Sequence, residues 1–168
     1  TYFIAKYIFK DKLGHGVTSV IYAISRGSSL LKRRLMLSRA VSSAITVSFG
    51  GSVGLEAPIV VTGSSIGSNI AKLMHMGYRN RTLLIGCGAA ASISAIFNSP
   101  IAGVIFTIEV LLSDVSIKKF IPLLIASVSG SIVSLLLLGD EVLFKFKTTD
   151  DFVTSDVGFY ILLGVFCG

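Results

Sequence analysis

Three long apolar stretches organise the chain. Residues 40–71 carry one charge, Glu56; residues 82–113 carry one, Glu109; residues 120–139 carry none. A helix needs about 20 apolar residues to cross the hydrocarbon core of a bilayer. The third stretch meets that length alone. The first two are too long for one crossing and too short for two. Each is interrupted near its middle by turn chemistry, at Gly50-Gly51-Ser52-Val53-Gly54 with Pro58 and at Phe97-Asn98-Ser99-Pro100. Proline suits a helix start, where its missing N–H costs nothing. The pattern therefore predicts helices near 35–50, 57–73, 82–97, 99–113 and 120–138, and a further one from 157 onward.

Two short helices that meet inside a membrane expose backbone polar groups that lipid cannot satisfy. Such breaks are tolerated where they line a protein cavity. The same pattern marks the sites of channels and transporters, where helix N-termini point at an anion. Small residues favour close helix packing; here they are Gly63, Gly67, Gly86, Gly88 and Ala89-Ala90-Ala91. The expected fold class is all-α: a polytopic membrane protein with short, tilted, broken helices.

Composition agrees. Of 168 residues, 52% are hydrophobic and 14% charged, against about 25% charged in a soluble domain. Mean hydropathy is +0.83. This excludes a disordered chain, a nucleic-acid-binding tail and most soluble enzymes, so the expected surroundings are a lipid bilayer and no nucleic acid. The net charge of +6 comes from short clusters between the apolar stretches. Lys/Arg-rich loops lie on the cytoplasmic side, which places Arg26 to Arg39, Lys72 to Arg81 and Lys118-Lys119 there. The more acidic segment 140–156 then lies outside, and both breaks lie toward the outer face. The cluster Lys32-Arg33-Arg34 with Arg39 also suits anionic lipid headgroups. The chain lacks a starting Met and stops within the apolar run 157–168, so it reads as a fragment of a longer multi-pass membrane protein (inner or plasma membrane in a bacterium).

Glu56 is the most informative residue. An ionisable group within a membrane segment is costly and points to function. It stands in Gly54-Leu55-Glu56-Ala57-Pro58, just ahead of a helix. A carboxylate there faces free helix N–H groups and the positive end of the helix dipole. An anion would bind in the same place, so the carboxylate can occupy the anion's site and leave when protonated or displaced. As a purely structural N-cap, glutamate is a poor choice. Gly14-His15-Gly16-Val17 forms a second candidate, a glycine loop leading into a helix N-terminus. Taken alone it reads better as an ordinary loop with a glycine pair. Glu109 alone reads better as a solvated or paired residue than as a proton relay. Asn98 and Ser99 are capping types.

Other chemistries find little support. Cys87 and Cys167 sit in apolar runs as small packing residues, and with His15 and His75 they show no metal-ligand spacing. No metal or cofactor is expected. Ser64, Ser65, His15 and His75 lack a nucleophile-elbow pattern, which argues against an intramembrane hydrolase. No enzymatic activity is expected.

The motifs resemble those of one family. Gly54-Leu55-Glu56-Ala57-Pro58, followed by Gly63-Ser64-Ser65-Ile66-Gly67, resembles the Gly-Arg/Lys-Glu-Gly-Pro block of the CLC chloride channel and transporter family. Gly86 to Ala91, then Phe97-Asn98-Ser99-Pro100-Ile101-Ala102-Gly103 with Phe106 and Glu109, resembles its next block. Gly14-His15-Gly16-Val17-Thr18 resembles its Gly-Ser-Gly-Ile-Pro loop.

The resemblance implies a homodimer with one anion pathway per subunit and two inverted halves in each. Residues 1–168 would form most of the first inverted repeat, with the second absent from this chain. Glu56 then matches the gating glutamate. Gly14, His15, Gly16, Val17, Gly54, Leu55 and Ala57 match anion-binding positions. There are departures: Leu55 replaces a basic residue, Ala57 a glycine, His15 a serine and Thr18 a proline. Val110 occupies the position of the inner proton-relay acid of the coupled members, and valine cannot titrate. The resemblance thus implies passive chloride conduction gated by Glu56. The alternatives are a proton-coupled exchanger and a non-conducting scaffold or regulatory subunit of the same fold.

Overall fold

The computed structural model describes residues 16–26, 29–52, 54–112, 117–139 and 157–167. Their regular structure is entirely helical. The helices are α1 (Gly16–Ser25), α2 (Arg34–Ser48), α3 (Glu56–Leu73), α4 (Tyr78–Phe97), α5 (Pro100–Val110), α6 (Ile117–Leu138) and α7 (Val157–Cys167). Both expected breaks are present. Between α2 and α3, Gly50 takes φ +77°, a left-handed conformation open to glycine without cost. Between α4 and α5, Asn98 takes φ +48°; its short polar side chain is one of the few that tolerate this region. Pro100 then opens α5.

Among the described residues two helices, Tyr78–Phe97 and Lys119–Leu138, are long and apolar enough to cross a membrane. The 11 residues of α5 extend only about 16 Å at 1.5 Å per residue, well short of a crossing. The observed bounds differ slightly from the expected ones. α4 begins at Tyr78, four residues early: Arg79 is exposed at this end of the helix, and Arg81, half-buried, donates through its Nη2 to the Met76 carbonyl at 3.1 Å. α5 stops at Val110, where the Leu111 and Leu112 N–H groups both turn back to the Thr107 carbonyl, at 3.0 and 3.1 Å.

α4 is the central helix, packed against α3, α5 and α6. Glycine makes this closeness possible. A β-carbon on Gly63 would strike the Gly88 carbonyl and the Ser92 hydroxyl, and one on Gly88 would strike the Gly63 carbonyl. The α3 and α4 backbones therefore touch. Likewise a β-carbon on Gly103 would lie 2.5 Å from the Ala90 carbonyl oxygen, and one on Gly130 would lie 2.5 Å from that of Ala91. Lipid tails are as apolar as leucine, so close packing, rather than transfer from water, holds such helices together. The buried core runs from Val20 of α1 through Val60 and Val61 of α3 to Ile85, Ala89 and Ile93 of α4. A smaller cluster joins Ala90, Val104, Leu112 and Leu123.

Serines of α6 hold the α4–α5 break. Ser134 donates to the Ala95 carbonyl (2.7 Å), Ser131 to Asn98 Oδ1, and Ser127 to the Pro100 carbonyl (2.6 Å). The spacing of these three serines puts them on one face of α6. They supply donors exactly where the broken backbone needs them in an apolar medium. Ser99, the N-cap of α5, makes no side-chain capping bond, so its capping chemistry goes unused.

Candidate anion site

The two candidate motifs meet. Gly16 opens α1 and Ala57 lies in the first turn of α3. A β-carbon built on Gly16 would stand 3.1 Å from the Ala57 β-carbon. Two helix N-termini thus lie side by side. Their partial positive charges add at one place without any full cation.

The start of α3 is open. Its N-cap, Leu55, makes no side-chain capping bond. Pro58 has no N–H, and the Ile59 N–H already donates to the Leu55 carbonyl at 3.1 Å. The first turn therefore offers the N–H groups of Glu56 and Ala57. Glu56 is the first residue of α3 and is exposed. Its carboxylate folds back over Gly54: a β-carbon on Gly54 would collide with Glu56 Oε2. Gly54 thereby leaves room for the carboxylate beside its own helix start. A group with an anionic head, a short stem and an exposed position can lie over a helix N-terminus or swing away from it.

Val17 packs against the core cluster and thereby seats the start of α1. Gly14 and His15 lie outside the described residues. Val110 also packs against this cluster, whereas the neighbouring Glu109 is exposed. The inward position on α5 is thus apolar and the acid points away from the core. Ser64 and Ser65 are fully buried within the bundle, and His75 is exposed in the α3–α4 turn. Ten residues of sequence, about 15 Å of helix rise, separate Ser65 from His75, so among the described residues no serine–histidine pair is brought together. Among the described residues no group of His, Cys, Asp and Glu is placed to hold a metal. An apolar groove of about 730 Å³ runs between α3, α4 and α6, but neither Gly16 nor Glu56 lines it.

Sequence reading found the helix starts but missed the contacts that position them. Ser68 of α3 accepts from the Leu31 N–H (3.0 Å) and donates to the Ser29 carbonyl (2.8 Å). Ser29 in turn bonds Thr82 of α4 (2.7 Å). These bonds fasten the end of the α1 segment to α3 and α4. The serine spacing on α6 was a legible signal, because three hydroxyls on one face of an apolar helix call for partners. Ser29 and Ser68 carried no comparable pattern.

Comparison with known proteins matches residues 1–168 to the voltage gated chloride channel family model. Similar proteins include a putative ClcB-like chloride channel protein of Ralstonia nicotianae, 31% identical over 157 residues, covering 91% of this chain and 37% of that protein. Chloride channel protein CLC-f of Arabidopsis thaliana is 30% identical over 166 residues, covering 92% of this chain and 21% of that protein. The H(+)/Cl(-) exchange transporter ClcA of Yersinia pestis bv. Antiqua is 27% identical over 173 residues, covering 99% of this chain and 36% of that protein. This chain therefore spans between 21% and 37% of the length of these relatives. No solved structure matches it at significant similarity.

Proposed function

Because this chain belongs to the voltage-gated chloride channel family, we propose that it forms part of a chloride pathway across a membrane, gated by Glu56. The observation that carries the proposal is the pairing of the α1 and α3 N-termini at Gly16 and Ala57, with the Glu56 carboxylate over Gly54. Backbone N–H groups and helix dipoles replace part of an anion's hydration shell while holding it weakly enough for release. The site comprises Gly14, His15, Gly16 and Val17 from the first motif and Gly54, Leu55 and Ala57 from the second. When the Glu56 carboxylate lies over the α3 start it fills the outer anion position. When it swings away the anion can enter.

Passive conduction is the favoured mode. The inward position of α5 is Val110, packed among apolar side chains, and a valine can neither accept nor deliver a proton. The second reading is a proton-coupled exchanger. It is supported by the similarity to a relative named as an H(+)/Cl(-) exchange transporter. In both readings residues 1–168 form most of the first inverted repeat of a homodimeric, multi-pass membrane protein. Chloride efflux from liposomes holding the full-length protein, with and without Glu56→Gln, tests the gate. A substitution that leaves efflux unchanged removes Glu56 from that role.

A further inference from the structure

A cationic surface lies at the end of the bundle where the α1–α2 connection meets the α3–α4 turn. Arg26, Lys32, Arg33 and Arg34 come from the first segment; Lys72 and Arg79 come from the second. All six are exposed. No Asp or Glu occurs within 26–39 or 72–81, so neither segment supplies a neutralising charge of its own.

The two segments are tied together. The Ser29 hydroxyl bonds that of Thr82 at 2.7 Å, and Ser68 bridges the Leu31 N–H and the Ser29 carbonyl. Asn69 Nδ2 donates to the Leu31 carbonyl at 3.3 Å, and the Tyr78 hydroxyl donates to the Ile24 carbonyl at 3.0 Å. Lys32 directly follows Leu31, Lys72 lies one helical turn beyond Ser68, and Arg79 adjoins Tyr78. The bonds therefore gather cations from two segments that lie 38 or more positions apart in sequence.

The surroundings single out one partner. Tyr22, Leu73, Met74 and Tyr78 are exposed among these cations, at 56%, 70%, 61% and 43%. Tyrosines and basic residues beside exposed apolar side chains are the mixture found at the level of lipid headgroups. A free phosphate has no use for the apolar part. We infer that this surface binds the headgroups of anionic phospholipids, with the cations on the phosphate and the apolar side chains on the upper acyl chains. The inference requires only that the protein is embedded in a bilayer, and it holds whether or not Glu56 gates an anion path.

The test is lipid retention by the full-length protein, purified in neutral detergent in phosphate-free buffer and followed by native mass spectrometry. The probes are phosphatidylglycerol and phosphatidylcholine, for the wild type and for Lys32→Gln/Arg33→Gln/Lys72→Gln/Arg79→Gln. The wild type is expected to retain phosphatidylglycerol preferentially, and each lost cation to weaken that affinity about fivefold. Phosphatidylcholine retention should not change. Arg79→Gln alone gives the same reading in one step should the fourfold variant misfold. Equal phosphatidylglycerol retention by wild type and Arg79→Gln would overturn the inference. So would displacement of the lipid by millimolar inorganic phosphate, which would assign the surface to a free anion.

Discussion

Gly16 and Ala57 set the spacing of the candidate site, because a β-carbon on Gly16 would stand 3.1 Å from that of Ala57. The two helix starts are as close as a missing side chain allows. Gly16→Val adds branched bulk at this contact and drives the N-termini apart. The expected result is a loss of stability of about 1–3 kcal/mol together with reduced chloride flux. Thermal unfolding in detergent and liposome efflux check the two effects separately.

The contact between α3 and α4 gives a prediction of stability alone. Gly63→Ala pushes a methyl group into the Gly88 carbonyl, and Gly88→Ala pushes one into the Gly63 carbonyl. Each should cost about 1–3 kcal/mol through overpacking. The double variant should cost less than the sum, because one separation of the two helices relieves both clashes. Unfolding of the four proteins by denaturant measures this; strict additivity would show that the backbones do not share that contact.

At the α4–α5 break, Asn98 has two roles: it accepts from Ser131 and it adopts φ +48°. Asn98→Gly keeps the conformation and loses only the hydrogen bond, a cost of about 0.5–2 kcal/mol in a membrane protein. Asn98→Val loses the bond and also places a β-branched residue in the left-handed region, for about 1–2 kcal/mol more. Ser131→Ala should match Asn98→Gly, and the two combined should add little. Thermal unfolding separates the three levels.

Much of this structure was legible in the residue pattern. Gly50 with Pro58, and Asn98 with Pro100, locate both breaks because left-handed φ and a missing N–H are properties of those residue types. The charge pattern marks Glu56 and Glu109 alike, as lone carboxylates in long apolar stretches, and the surrounding Gly54-to-Pro58 motif distinguishes Glu56. The pairing of α1 with α3 was not legible. Neither the glycine of one motif nor the alanine of the other records its distant partner, and the bonds of Ser29, Ser68 and Thr82 tie the far end of the α1 segment to α3 and α4. Such a bond joins single polar residues without periodicity, so the chain carries no repeating trace of it. The start of α4 differs for a related reason: Arg79 marks water and Arg81 a bond to the Met76 carbonyl, rather than the end of a helix.

Chloride efflux from liposomes containing the full-length protein, recorded together with external pH, tests the central claim most directly, with Glu56→Gln measured alongside. The account predicts chloride movement without proton movement in the wild type, and an altered chloride rate in the variant because a neutral side chain no longer competes as an anion for the α3 start. Proton movement in fixed ratio to chloride would contradict passive conduction and show a proton path that bypasses Val110. An unchanged chloride rate in Glu56→Gln would contradict the gate.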